Sequence, residues 1–155
     1  GQLALPSCPA LASSFGINNI EESCDILLAR RIKKIDLGLI GNYYFLNQAS
    51  IQSLGTIISI DDYTLEITEK GEVRIINLLS DPREKIKSNP NDGKLDILIK
   101  TRKRDESIIT VKKLKINNPK EQLIIDDVVA INTPVEVGIM KDRVNVIVGK
   151  NRLFE

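Results

Sequence analysis

Two carboxylates around a turn, Asp92 and Asp96 in the run Asn91-Asp92-Gly93-Lys94-Leu95-Asp96, are the residues of this chain best placed to do chemistry. The Asp92-Gly93 dipeptide predicts a tight turn, because glycine tolerates the backbone angles such turns require, and the apolar run from Leu95 to Lys100 predicts a strand directly after it. The sequence contains no histidine, which removes imidazole from every mechanism and leaves Asp, Glu, Lys and Tyr as the available acids and bases. The plainer reading of the same residues is a hairpin turn that leads into a core strand.

The elements that must position this turn are mostly strands. From Gly38 onward the apolar period is two, with predicted strands over Tyr43 to Leu46, Thr56 to Ile60, Tyr63 to Thr68, Val73 to Leu78, Leu95 to Lys100 and Ile108 to Val111. Lys112-Lys113 breaks the alternation before Leu114 and Ile116, which predicts a bulge. Leu123 to Val129, Val135 to Met140 and Val144 to Val148 follow, the last two joined by Lys141-Asp142-Arg143. The polar stretch from Ser80 to Asn91, with Pro82 and Pro90, predicts a long surface loop.

One helix is predicted ahead of the strands. Asn18 or Asn19 caps it, Glu21 and Glu22 suit its positive end, and Lys33 and Lys34 suit its negative end. Ile20, Cys24, Leu27, Leu28 and Ile35 fall on one face at helical spacing, and Gly38 ends the segment. Upstream, Pro6 and Pro9 argue against regular helix and predict an extended start. The expected fold is mostly β, an antiparallel β-sandwich of about eight short strands with one N-terminal α-helix. Residues 1–37 form an extended segment and helix, and 38–155 the sandwich domain.

The chain has 155 residues and a formal net charge of +1, so it can build a sizeable core but carries no global field that would recruit nucleic acid. No apolar run approaches the roughly 20 residues needed to cross a bilayer as a helix, which predicts a cytoplasmic protein. The two cysteines, Cys8 and Cys24, sit among apolar residues and read as buried thiols, with a disulfide as the lesser alternative.

Taken together, these elements resemble the carboxy-terminal part of the diacylglycerol kinase family of lipid kinases, which includes the sphingosine kinases. Ala12-Ser13-Ser14-Phe15-Gly16-Ile17 with Glu21-Glu22 is similar to the segment after that family's Gly-Thr-x-Asn-Asp motif. Ile35-Asp36-Leu37-Gly38 and Tyr44-Phe45-Leu46-Asn47 resemble the opening of its β-rich domain. Asn91 to Asp96 is close to its Asp-Gly-x-Leu-Asp motif. Ile125-Asp126-Asp127 and Thr133-Pro134-Val135-Glu136-Val137 resemble its closing hairpins.

The resemblance implies an ATP- and magnesium-dependent transfer of phosphate to a lipid hydroxyl. Asp92 would stand in the active site as a candidate base, and Asp92 and Asp96 as candidate metal ligands. The departures are equally concrete. Pro6-Ser7-Cys8-Pro9-Ala10 replaces Gly-Thr-x-Asn-Asp, Asp127-Val128 stands where the family has Gly and Glu, and no glycine-rich nucleotide loop occurs in the sequence. The chain alone is therefore expected to be inactive and to hold no cofactor by itself, with Asp92 either a retained active-site residue or a structural turn residue.

A basic run, Lys100, Arg102, Lys103 and Arg104, followed by Lys112, Lys113 and Lys115, reads either as a solvated edge that deters strand pairing or as a surface for anionic lipid headgroups. The partners in view are an anionic membrane surface touched peripherally, a second copy of the chain, or a separate nucleotide-binding domain. Tyr43, Tyr44 and Phe45 read as core rather than as a stacking platform, and nucleic acid is not among the expected partners.

Overall fold

The computed structural model describes residues 9–78, 88–103 and 106–154. Helix α1 (Pro9–Ser14) and helix α2 (Ile20–Ala29) precede twelve strands. These are β1 (Ile32–Ile40), β2 (Tyr43–Phe45), β3 (Gln48–Gln52), β4 (Thr56–Ile60), β5 (Tyr63–Ile67), β6 (Gly71–Ile76), β7 (Leu95–Thr101), β8 (Ser107–Val111), β9 (Lys113–Asn117), β10 (Leu123–Ile125), β11 (Val129–Ile131) and β12 (Val135–Ile147). They form two six-stranded antiparallel sheets, ordered β2-β1-β12-β9-β4-β5 and β11-β10-β3-β6-β7-β8. The mostly-β, antiparallel two-sheet fold read from the sequence is the one observed.

The core lies where the inward faces meet. Ile40, Phe45, Ile58, Leu114, Ile116 and Val137 from one sheet join Ile51, Val73, Ile75, Leu95, Ile97 and Leu123 from the other. Alternation sets which residues enter it: in β7, Leu95, Ile97 and Ile99 point inward while Asp96 and Lys100 do not. A second cluster, Ile35, Leu78, Val148 and Phe154 with Leu11 and Phe15, ties the first helical segment to the end of the chain. Gly149 N–H donates to Phe15 O and Leu153 N–H to Ser14 O, so the two segments are also joined through backbone.

Several local expectations are corrected. The region from Pro9 to Ser14 is helical, because proline at a first helical position sacrifices no hydrogen bond and its φ is already suited; residues before Pro9 lie outside the described chain. The second helix keeps its predicted Asn19 cap, whose side chain accepts from Glu22 N–H at 2.7 Å, but ends at Ala29, where Arg30 turns left-handed with φ 48°. Lys33, Lys34 and Ile35 accordingly belong to β1, and the expected division between 37 and 38 falls within that strand. Gly38 does not stop an element. It sits inside β1 beneath the Phe45 ring, which occupies the place a Cβ would take.

The Lys112-Lys113 break is not a bulge but the point where the chain leaves one sheet for the other. Leu123 to Val129 is not one strand; Asp126 and Asp127, with φ 45° and 60°, begin a three-residue turn, Asp126 to Val128, between β10 and β11. Lys141-Asp142-Arg143 does not close a hairpin either, since β12 runs through it as one strand of 13 residues. Cys24 is exposed rather than buried, and its pairing with Cys8 lies outside the described residues. Of the three aromatics, Phe45 is core while Tyr43 and Tyr44 remain 47% and 46% exposed.

Candidate functional site

The Asp92–Gly93 turn is built from its own side chains outward. Asn89 O accepts from Asp92 N–H at 3.3 Å, Asn89 Oδ1 accepts from Asn91 N–H at 3.2 Å, and Asp92 Oδ1 accepts from Lys94 N–H at 2.8 Å. This last contact is the Asx arrangement by which aspartate stabilises a turn. Gly93 has φ +69°, and a Cβ there would collide with the Lys141 side chain lying across it. Glycine is thus required twice, by the backbone angle and by the close approach.

The turn is held from behind by Asp36, which is only 2% exposed. Asp36 Oδ2 accepts from Gly93 N–H at 2.7 Å and Oδ1 accepts from Asp142 N–H at 2.8 Å. Its own N–H donates to Pro90 O at 2.6 Å, and its carbonyl accepts from Asn77 Nδ2 at 2.9 Å. Such a position arises because β1 and β12 slip register there: Ile35 faces Val144 and Leu37 faces Met140, leaving Asp36 alone opposite Lys141, Asp142 and Arg143. The bulge turns the Asp142 N–H, with φ 52°, toward the buried carboxylate. One carboxylate therefore connects the bulge of one sheet to a turn at the edge of the other.

Around this node polar groups accumulate that the packing does not satisfy. Asn77 is 1% exposed; its Nδ2 bridges the carbonyls of Asp36 and Leu46, while its N–H donates to Asn47 O at 2.8 Å. The Oδ1 atoms of Asn77 and Asn47 and the Oγ of Ser88 are buried with no hydrogen-bond partner. Each such atom costs roughly 1–3 kcal/mol when left unpaired. Sequence reading used Asp36 and Asn47 only as parts of a resemblance and passed over Asn77 and Ser88. The available signal was a carboxylate inside the apolar strand Ile35-Asp36-Leu37, where burial demands partners.

The predicted carboxylates are placed differently from one another. Asp92 is exposed on the turn. Asp96 lies half-buried on the outward side of β7, where its Oδ1 accepts from Thr110 Oγ1 at 2.7 Å across the β7–β8 pair. Among the described residues, no group of three or more Cys, Asp or Glu side chains comes together in a way that could hold a metal ion. The sequence offers no glycine-rich cradle for a triphosphate. The nearby cations are Lys94 and Lys141, both exposed, and Arg143, whose guanidinium stacks 5.8 Å from the centroid of the Tyr44 ring.

The basic run is divided by the fold. Lys100 pairs with Glu106 at 2.9 Å, Arg102 and Lys103 are exposed beside it, and Arg104 lies outside the described residues. Lys113 and Lys115 belong to the other sheet, where Lys113 pairs with Glu136 at 2.9 Å. That hydrogen bond, reinforced by the charges of Lys113 and Lys115, holds the Glu136 carboxyl below its usual range.

The chain has a fold of the diacylglycerol kinase type, fitting the carboxy-terminal part of those proteins. Two solved structures from Bacillus anthracis str. Sterne carry the comparison. A diacylglycerol kinase aligns with TM-score 0.78 and 17% identity over 97% of this chain, and a putative diacylglycerol kinase with TM-score 0.77 and 15% identity over 96%. The chain spans 66% of the first and 68% of the second. An NAD kinase from Archaeoglobus fulgidus, solved in complex with ATP, aligns with TM-score 0.62 and 10% identity over 86% of this chain and 61% of its own. At these identities the likeness is one of fold. No sequence-family profile matches the chain, and no curated protein matches it significantly. Among the described residues, no helix is long and apolar enough to cross a membrane.

Proposed function

We propose that this chain is the carboxy-terminal domain of a diacylglycerol kinase-like lipid kinase, and that by itself it does not transfer phosphate. The observation that carries the reading is the construction of the Asp92 turn. A buried carboxylate, Asp36, fixes the backbone of Gly93 while Asp92 itself stays exposed. A turn needed only to reverse the chain has no use for a charged group buried behind it, whereas a side chain presented to a substrate gains from a fixed base.

In this reading Asp92 holds the position from which a complete kinase would take the proton of the lipid hydroxyl, and Asp96 follows it on β7. ATP and magnesium belong to a nucleotide-binding domain whose glycine-rich loop this sequence lacks. The Pro6 to Ala10 run in place of Gly-Thr-x-Asn-Asp supports loss of the kinase site rather than its completion in this chain. A second reading, a non-enzymatic lipid- or protein-binding β-domain, is favoured by the exposed cations near the turn, Lys94 and Lys141, and by Arg102 and Lys103 at the far hairpin. Those residues would meet an anionic headgroup surface.

The test is ATP- and magnesium-dependent phosphorylation of a panel containing diacylglycerol and sphingosine, with the chain and its Asp92→Asn variant, alongside sedimentation with anionic vesicles at low and high salt. No turnover by either folded protein, with salt-sensitive vesicle binding, supports a lipid-binding domain without kinase activity. Turnover that is lost in Asp92→Asn overturns the claim of inactivity and keeps Asp92 as the base.

A further inference from the structure

Helix α2 and the stretch after β12 frame a groove in which the Asp92 turn has no part. Val148 N–H donates to Arg31 O at 2.9 Å and Gly149 N–H to Phe15 O at 2.8 Å, so this stretch lies directly across the connection from α1 to α2. Glycine permits so close a crossing: a Cβ on Gly149 would run into Gly16 O and the Ile26 side chain, and one on Gly16 into the Arg152 backbone. The groove holds about 290 Å³, near the lower end for small-molecule sites. Its floor is Gly16 and Ile26, both buried.

The rim carries charges of both signs, sorted by element. Glu22 and Asp25 stand three positions apart on α2, beside Ile26, so their Cβ atoms are about 5–6 Å apart and both carboxylates can reach one ammonium group. The other lining elements bring the guanidinium of half-buried Arg31, the ammonium of exposed Lys150 and the amide of Asn151. Among the described residues, no ion pair joins the two groups; Glu22 instead accepts from Asn18 Nδ2 at 3.4 Å. A simple anion here is repelled by the two carboxylates, and a metal cation by Arg31 and Lys150, whereas a molecule carrying both signs is attracted at both ends. Phosphate offers the three donors three strong acceptor oxygens, where a carboxylate offers two.

We propose that this groove binds a phosphoethanolamine group, its ammonium between Glu22 and Asp25 and its phosphate on Arg31, Lys150 and Asn151. The group arrives either as free phosphoethanolamine or at the head of a phospholipid. The inference is independent of the phosphoryl-transfer reading, because no residue in it belongs to the Asp92 turn. Most of the charged groups are exposed, so binding is weak, with a Kd on the order of 1 mM.

The test is an amide NMR titration of the whole chain with O-phosphoethanolamine and, separately, with inorganic phosphate, ethanolamine and γ-aminobutyrate. The expected result is saturable shifts at the amides of Gly16, Arg31 and Asn151, with an affinity for O-phosphoethanolamine about tenfold above that for each of the other three. Lys150→Glu weakens O-phosphoethanolamine and phosphate alike. Asp25→Asn weakens O-phosphoethanolamine but strengthens inorganic phosphate, a pair of opposite changes that a loss of local structure would not produce. Both residues are exposed, so both variants keep the parent melting temperature. Phosphate or γ-aminobutyrate that binds as tightly as O-phosphoethanolamine overturns the proposal, as does the lack of any saturable shift at these amides in tens of millimolar ligand. Sedimentation with phosphatidylcholine vesicles, with and without phosphatidylethanolamine, separates the two sources. Binding that requires phosphatidylethanolamine and is competed by O-phosphoethanolamine upholds the site as one for a lipid headgroup, and saturable binding of free O-phosphoethanolamine without vesicle binding upholds it as one for a soluble molecule.

Discussion

Replacing Asp36 by Asn tests the central claim that one buried carboxylate holds the site together. The side chain keeps its size, so packing is preserved, but an amide has only one acceptor oxygen where the carboxylate uses two. Either Gly93 N–H or Asp142 N–H, now bonded at 2.7 and 2.8 Å, must face an NH2 group. Leaving one such donor buried and unpaired costs about 1–3 kcal/mol. For a chain of this size that corresponds to a fall in melting temperature of roughly 2–12 °C. Asp36→Ala removes both bonds and costs about 2–6 kcal/mol, a large part of the 5–15 kcal/mol that holds a typical domain folded. Urea denaturation measures the global loss, and amide exchange at Gly93 and Asp142 measures where it falls. An Asp36→Asn protein within about 0.5 kcal/mol of the parent, the scatter of ordinary surface substitutions, with both amides still protected, would show that the carboxylate is not the tether described here.

Asp126 makes a second test, because its carboxylate accepts from the N–H groups of Leu46, Asn47 and Gln48 at 2.8, 2.9 and 3.0 Å where the chain passes between sheets. Asp126→Ala is expected to cost about 2 kcal/mol or more in denaturant unfolding and to speed amide exchange at those three residues, whereas Asp126→Asn, which tolerates the same turn, costs less. Gly93→Ala places a Cβ at φ +69° against Lys141 and should destabilise by about 1–2 kcal/mol, part of which is recovered in the Gly93→Ala, Lys141→Ala double variant. Glu136 has a lowered folded-state pKa through Lys113, so the stabilisation from this pair is present above the ordinary carboxylate range and fades as pH falls through the folded value. Carboxyl NMR titration should place Glu136 low in the parent chain and closer to its ordinary value in Lys113→Met.

What could be read from the sequence was decided by how local its cause is. The Asn19 cap, the alternation of β7 and the Asp-Gly turn each depend on residues a few positions apart, and they stand as expected. The helical pattern runs past Ala29 because Lys33, Lys34 and Ile35 satisfy helical spacing as well as they satisfy a strand, and only the left-handed Arg30 decides between them. Lys141-Asp142-Arg143 looks like a hairpin loop in isolation; that it is a bulge follows from β1, whose pairing is invisible locally. The Lys112-Lys113 break was recognised, but whether a chain bulges or changes sheets depends on the opposite sheet. At the site, the motif gave Asp92 and Asp96, while Asp36 and Asn77 act through bonds to residues far away in the sequence.

The pairing of β1 with β12 also governs the order in which the chain can be completed. Ile32 meets Ile147 and Ile40 meets Val137, partners about a hundred residues apart in sequence. Closing so long a loop is entropically expensive before any contact rewards it, and such topologies fold slowly. On the ribosome, β1 must wait with only β2 beside it until almost the entire chain has emerged. The Asp36 tether, which needs Asp142, is therefore among the last features to form during synthesis. Polypeptides interrupted before β12 would carry the Asp92 turn without the bulge that completes its support, and would expose a long unpaired edge of β1 to aggregation.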